Sequence, residues 1–455
     1  MLITRAVLLD GADPGGAEPG GGGTVDIRVG DTITAVAARL KPVAGEDVLD
    51  AAGALVLPGL HDHHVHLRAA VAAHDSVRVG PPQVAGPAEF RHALRTAAPG
   101  ADGWIRAVGY HDSVAGPLDA AALDAVVENL PVRVQHRSGA LWIVNSAGLA
   151  VLGRTGHPDG RFHRDTEALQ LPGRAPSAAA LSTRLLSHGV TGLTDATPGQ
   201  RPADLENLAA AAQSGEIAQR LHAMAPAGTA AVAGITLGPA KLILDDTDLD
   251  LDRVSDWIAD SHRLDHPVAV HCVTDAQLVV TMAALREAGR HPGDRIEHAA
   301  LVPDDCVAQL AELGVTVVTQ PNFVAERGDE YLAEVPAADR HRLWRVASLR
   351  SAGIPLALST DLPFGDADPW RVVAAAAHRR TPSGRLLGAD ERVSAAVALR
   401  MLLGRPQDPA RPRRIAPGQP GDICVLAGNP VEALAEPDSG RVAATIIGGR
   451  VAWRR

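Results

Sequence analysis

At 455 residues, 46% of them apolar, the chain is longer than a usual single domain and apolar enough for a sizeable core, so one large domain plus a second module is expected. A formal net charge of −10 with no run of Lys or Arg argues against nucleic acid or a membrane surface as partner, because an acidic surface repels phosphate. Cys272, Cys306 and Cys424 form neither a metal pattern nor a disulfide framework; with no signal peptide and no apolar run of bilayer length, this predicts a soluble, cytoplasmic protein.

The first fifty residues read as short strands, Leu2 to Leu9, Val25 to Val29 and Ile33 to Ala37, with the Gly-rich run Gly15 to Gly23 as a loop or hairpin tip. Strands then alternate with amphipathic helices. Eight strand candidates follow in order: Leu55 to Leu60, Gly189 to Asp195, Arg220 to Ala225, Ala240 to Leu244, Pro267 to His271, Arg295 to His298, Val315 to Gln320 and Ile354 to Ser359. Pro303 to Leu313 typifies the helices: Val307, Leu310 and Leu313 share a face, Asp304 and Asp305 open it, and Gly314 stops it. The last forty residues return to short strands, Asp422 to Leu426, Ala443 to Ile447 and Val451 to Trp453.

Eight strand–helix units predict an α/β fold, a (β/α)8 TIM-like barrel. The two β-rich ends predict one small β-sandwich built from both termini. The expected domains are therefore residues 1–57 with 405–455 as a composite sandwich and residues 58–404 as the barrel. Between the first and second strands, residues 67–188 are too many for a loop in a compact barrel and predict an inserted subdomain.

The strongest chemical signal is LVLPGLHDHHVHL, Leu55 to Leu67, where His64 and His66 stand at i and i+2 at a strand end. In extended chain these imidazoles point to the same side and can share a divalent ion. A lone HxH would more often be a His-rich surface loop. Here His271 ends PVAVH, His298 ends RIEH, and Asp361 follows IPLALST. All three stand at the C-terminal ends of predicted barrel strands, the face on which barrel active sites are built. Caps and turns do not explain so many strand-end ligands together. By alternation His61 and His63 point away from the ion, toward supporting or surface duty.

Lysine occurs only at Lys41 and Lys241, nearly all other basic residues being arginine. Lys241 opens the strand KLILDD, the fourth of the eight. A deprotonated lysine can add carbon dioxide and become a carbamate with two metal-binding oxygens, which an arginine cannot do. The competing reading is a plain ion pair with Asp245 or Asp246. Gln320 and Asn322, after the seventh strand, and His136 and Arg137, in the insertion, are candidate substrate-binding residues, the last two as a lid. Ordinary packing roles stand beside that reading.

The pattern PGLxDxHxH, the lysine strand, the two single-histidine strands and the STD aspartate resemble the amidohydrolase superfamily over nearly the whole chain. The segments HRSGALWIVNSAGL, GVTGLTDA, RIEHAALV, VVTQPNF and ALSTDLPFGDADPW look like its YtcJ-like branch, which includes N-substituted formamide deformylases. One departure is Ala140, where many members carry a histidine thought to face substrate, so substrate identity is not carried over. The resemblance implies that His64, His66 and Asp361 hold one ion, and that His271 and His298 hold a second, with carboxylated Lys241 as bridge. It implies a small-molecule substrate whose non-peptide C–N bond (amide, formamide, cyclic amide or ureido) is cleaved by a metal-activated hydroxide, with Asp361 as the catalytic proton carrier. Neutral imidazoles with a carboxylate suit zinc, one or two Zn2+ per chain, with iron or manganese as alternatives. Two other readings are open: a single-metal deaminase of a ring amine, with Lys241 unmodified, and a non-catalytic scaffold, which would have lost its ligands. A homodimer is compatible with the size, and nothing in the sequence demonstrates it.

Overall fold

Strands from both ends of the chain share one sheet. In the computed structural model, which describes residues 1–9, 23–163 and 177–455, the strand Leu55–Pro58 runs parallel to Leu2–Leu8 on one side and antiparallel to Ile423–Leu426 on the other. Val25–Val29 and Ile33–Ala37 extend the sheet in one direction, Val442–Ile447 and Arg450–Arg454 in the other. Alternation puts Ile3, Ile27, Val56, Ile423 and Ile446 into a common core. Residues 15–22 of the Gly-rich run lie outside the described residues.

The strands that carry the predicted ligands form two parallel sheets. We number these strands β1 Leu60–Val65, β2 Val190–Asp195, β3 Arg220–Met224, β4 Thr236–Gly238, β5 Ala240–Ile243, β6 Val268–Cys272, β7 Arg295–His298, β8 Thr316–Thr319 and β9 Leu356–Leu358. One sheet has the order β4-β3-β2-β1, the other β5-β6-β7-β8-β9. No closed ring of strand ladders is formed among the described residues. Between β4 and β5 only Pro239 intervenes, a residue without the N–H a continuous ladder needs. Between β9 and β1 the link is a single parallel bridge, Val65 with Leu362. The burial of β1, β2, β7, β8 and β9 is complete at every residue, as expected for parallel strands covered on both faces.

The first predicted strand, Leu55 to Leu60, is corrected. The chain changes sheets at Gly59, so Leu55–Pro58 belongs to the terminal sheet, and a new strand, β1, carries the histidines. A Cβ at Gly59 would lie 2.2 Å from the Thr191 side chain, so the crossing point has room for glycine alone. The helix expected at Pro303 to Leu313 forms as Asp304–Leu313 and ends on Gly314 at φ 62°, with Cys306 rather than Val307 on the buried face beside Leu310 and Leu313.

By contacts the chain divides into a larger unit, Met1–His66 with Ala178–Arg455, and a smaller one, Leu67–Ser177. The smaller unit has its own five-stranded sheet, ordered Arg161–His163, Leu141–Val144, Val132–His136, Ile105–Tyr110, Val77–Arg78. Against it Phe90 and Leu94 of the helix Pro87–Thr96 pack on Ile105, Val134 and Ile143. Among the described residues no helix is long and apolar enough to cross a membrane.

Candidate metal centre

β1 does not run as a regular strand. Its pairing with β2 slips between Leu193/Asp62 and Asp195/Val65, where Thr194 alone faces His63 and His64. The slip leaves the i/i+2 pairs together: His64 and His66 both approach Asp361, and His61 and His63 stack on each other. His61 and His63 are buried like His64, because β1 is covered on both faces, which leaves the supporting role rather than the surface one. His61 Nε2 lies 2.8 Å from Thr194 Oγ1, and the His61 and His63 rings are 4.6 Å apart.

Beyond β9, Asp361 is brought to β1 by backbone pairing. Asp361 N donates to the His64 carbonyl at 3.1 Å and His66 N donates to the Leu362 carbonyl at 2.7 Å. Asp62, which sequence reasoning passed over, fastens the same junction: its carboxylate accepts from Thr360 N at 3.1 Å and from the Thr360 hydroxyl. Burial pushes the Asp62 carboxyl up to about 7, opposed by the hydrogen bonds from Thr360.

The result is a convergence of three donor atoms. His64 Nε2 and His66 Nε2 lie 3.6 and 3.5 Å from Asp361 Oδ1. Ligands about 2.1 Å from a tetrahedrally held ion stand roughly 3.4 Å from one another, so the spacing suits a zinc-sized cation. Both His64 Nε2 and Asp361 Oδ1 are buried and, among the described residues, have no hydrogen-bond partner. Burial alone would disfavour that, since an unpartnered buried polar atom is costly. Burial also holds His64 and His298 well below the usual histidine range, which keeps the imidazoles neutral, the form that binds a cation.

Next to this trio the His298 ring lies 4.7 Å from that of His64 and 4.4 Å from that of His271. The chain turns sharply at both of these candidate positions: His298 has φ 70° and Asp361 φ 58°, left-handed conformations that cost a non-glycine residue on the order of 1–3 kcal/mol each. Lys241, on β5, reaches the same interior. Its stem is partly accessible, while Nζ is shut off from solvent and has no hydrogen-bond partner among the described residues. Burial drives the amine down to about 8, partly offset by the nearby Glu297 carboxylate.

Besides Asp62, two supports were missed in the sequence, Glu297 and Arg295. Glu297, beside His298 in RIEH, meets His64 Nδ1 and is gripped by Arg295, whose Nε donates at 2.7 Å. A charged pair inside a strand as fully buried as β7 is the signal that could have found it. Gln320, a candidate substrate contact, meets His298 Nδ1 at 2.9 Å through Oε1 and donates to Ser359 Oγ at 2.8 Å. Asn322 opens the helix Asn322–Glu334, and its Nδ2 is spent on Glu326 and the Thr360 carbonyl. His136 and Arg137 belong to the smaller unit, where His136 Nδ1 lies 2.8 Å from Ser138 Oγ. Cys272 is buried against Thr281, its thiol pushed up to about 12 by burial.

The profile of the family described as the amidohydrolase family matches residues 47–452. The chain belongs to the amidohydrolase family. This amidohydrolase is 26% identical to an N-substituted formamide deformylase of Arthrobacter pascens, with 94% of this chain and 93% of that one aligned. Among solved structures, a metal-dependent hydrolase of Pyrococcus horikoshii superposes with a TM-score of 0.75 at 18% identity, covering 97% of this chain and 99% of the other. Atrazine chlorohydrolase TrzN of Arthrobacter aurescens, solved with zinc, superposes with a TM-score of 0.57 at 16% identity, covering 100% and 95%. The resemblance read from the motifs is thus established at family level, and the structural likenesses speak for the fold.

Proposed function

We propose that this amidohydrolase cleaves a non-peptide C–N bond of a small molecule, an amide, formamide, cyclic amide or ureido group, with zinc-class ions held by His64, His66 and Asp361 and by His271, His298 and a carboxylated Lys241. The observation that carries the reading is the trio of His64 Nε2, His66 Nε2 and Asp361 Oδ1, at ligand spacing and otherwise unpartnered where buried. The formamide deformylase of A. pascens, aligned over nearly the full length of both chains, supports the bond class. In the same reading the two parallel sheets are arcs of one (β/α)8 barrel, β4 and β5 together making the strand at which they join, and the shared terminal sheet folds into the composite sandwich.

A bound ion would supply Lewis acidity toward the scissile carbonyl and a water acidic enough to attack at neutral pH. The chain's own residues do the rest. The neutral imidazoles donate lone pairs. Asp361 accepts the proton from the attacking water and delivers it to the leaving nitrogen. Asp62 and Thr360 hold the Asp361 backbone against β1, so the carboxylate stays in register with the two histidines.

A single-ion reading, with ring-amine deamination as its chemistry, has one observation behind it. Among the described His, Cys, Asp and Glu residues, only His64, His66 and Asp361 bring three donor atoms within 4.8 Å of one another. Elemental analysis of protein purified without chelator distinguishes the two. About two ions per chain are expected, about one in the single-ion case. Hydrolysis of N-formyl and N-acyl amines should vanish on chelation and return with zinc; full activity of metal-free protein would overturn both readings.

A further inference from the structure

The metal reading says nothing about how His64 comes to present Nε2 rather than Nδ1. An imidazole can bind a cation through either nitrogen, and which one is available depends on where the ring proton sits. In this structure the choice is fixed from β7, in the other parallel sheet. Glu297 Oε2 touches His64 Nδ1. Glu297 Oε1 accepts from Arg295 Nε at 2.7 Å, and Oε2 accepts from Arg295 Nη2 at 3.2 Å. A carboxylate paired with a guanidinium in this forked way accepts hydrogen bonds and offers none. His64 Nδ1 must therefore be the donor, which leaves the lone pair on Nε2, facing Asp361.

The same guanidinium reaches back to the strand it serves: Arg295 Nη2 donates to the His63 carbonyl at 2.8 Å. Arg295 and Glu297 thus hold both the ring of His64 and the backbone just before it. All three side chains are buried, at no more than 2% exposure, so water cannot substitute for a lost partner. Exposure at this level would make a pair kept only for stability a poor investment, since buried ion pairs often gain nothing over apolar residues of similar volume.

We infer that Glu297, clamped by Arg295, is a positioning residue that sets the tautomer and ring orientation of His64 and thereby the affinity of the first metal ion. This rests on the metal reading above. The ring proton stays on Nδ1 throughout, so Glu297 takes no part in proton transfer to substrate.

Removing Glu297 alone would leave Arg295 buried and unpaired, so the test uses paired variants. R295M/E297L removes both charges and leaves Nδ1 without an acceptor; R295M/E297Q removes both charges but keeps an amide oxygen for Nδ1 to donate to. Zinc affinity is measured by competition with a chromophoric chelator, and melting of the metal-free proteins is recorded alongside. We expect wild type to bind most tightly and R295M/E297L to lose ten- to a hundredfold in affinity, with R295M/E297Q between them. The metal-free melting temperatures should not follow that order. Equal zinc affinity in the two double variants, or wild-type affinity in R295M/E297L, overturns the inference; should R295M/E297L fail to fold, wild-type affinity in R295M/E297Q does so. Wild-type protein that binds no zinc would instead defeat the metal reading itself.

Discussion

Asp361→Asn is expected to lower turnover on the order of a hundredfold to ten-thousandfold while leaving the fold intact. The amide matches the carboxylate in shape but cannot accept a proton from the attacking water. The backbone should tolerate the change well, because Asp361 sits at φ 58° and asparagine is among the residues that adopt the left-handed region most readily. Its amide oxygen can still face His64 and His66, so part of the metal should remain. Turnover, zinc content and melting temperature measured on one preparation separate these effects. Near-wild-type turnover would remove Asp361 from the role of proton carrier.

Lys241→Arg should abolish most activity and release one ion of two. Carboxylation begins from an uncharged amine, and burial beside Arg295 lowers the Lys241 pKa to about 8, so the neutral form becomes accessible near physiological pH. The sign matters: a lysine with a depressed pKa sheds its proton on the way up through pH 8, so carbon dioxide capture should improve as pH rises through that range. Arginine keeps the charge and forms no carbamate. Lys241→Ala, with short carboxylic acids added, is expected to regain part of the activity, because a free carboxylate can take the place of the missing one. Crystals loaded with zinc should show density for the carbamate; a plain amine there would favour the single-ion deaminase reading.

The histidine and aspartate candidates were legible because each lies at or just past a strand end, where a one-dimensional pattern of apolar run followed by a possible ligand marks it. His64, His66, His271, His298 and Asp361 need no partner to be noticed. The residues that hold them were not legible, since their roles exist only across strands. Glu297 meets a histidine 233 positions away, and Asp62 meets Thr360 across 298. Gln320 stood where a substrate contact is expected, and only its distances to His298 and Ser359 show how it is engaged. The break at Gly59 was hidden for a similar reason. Leu55 to Leu60 reads as one apolar strand, and the switch between sheets depends on Ile423–Leu426 claiming its first half.

That claim has a cost in time. Pro58 pairs with Ile423, so the partner strand leaves the ribosome roughly 365 residues later, about 20 to 70 s at ordinary rates of synthesis. Until then one edge of Leu55–Pro58 is an open, wholly apolar template for any passing strand. A chain stopped before Ile423 should therefore collect in aggregates even with every candidate metal ligand present, whereas supplying Ile423–Arg455 as a separate peptide during refolding should keep part of it in solution.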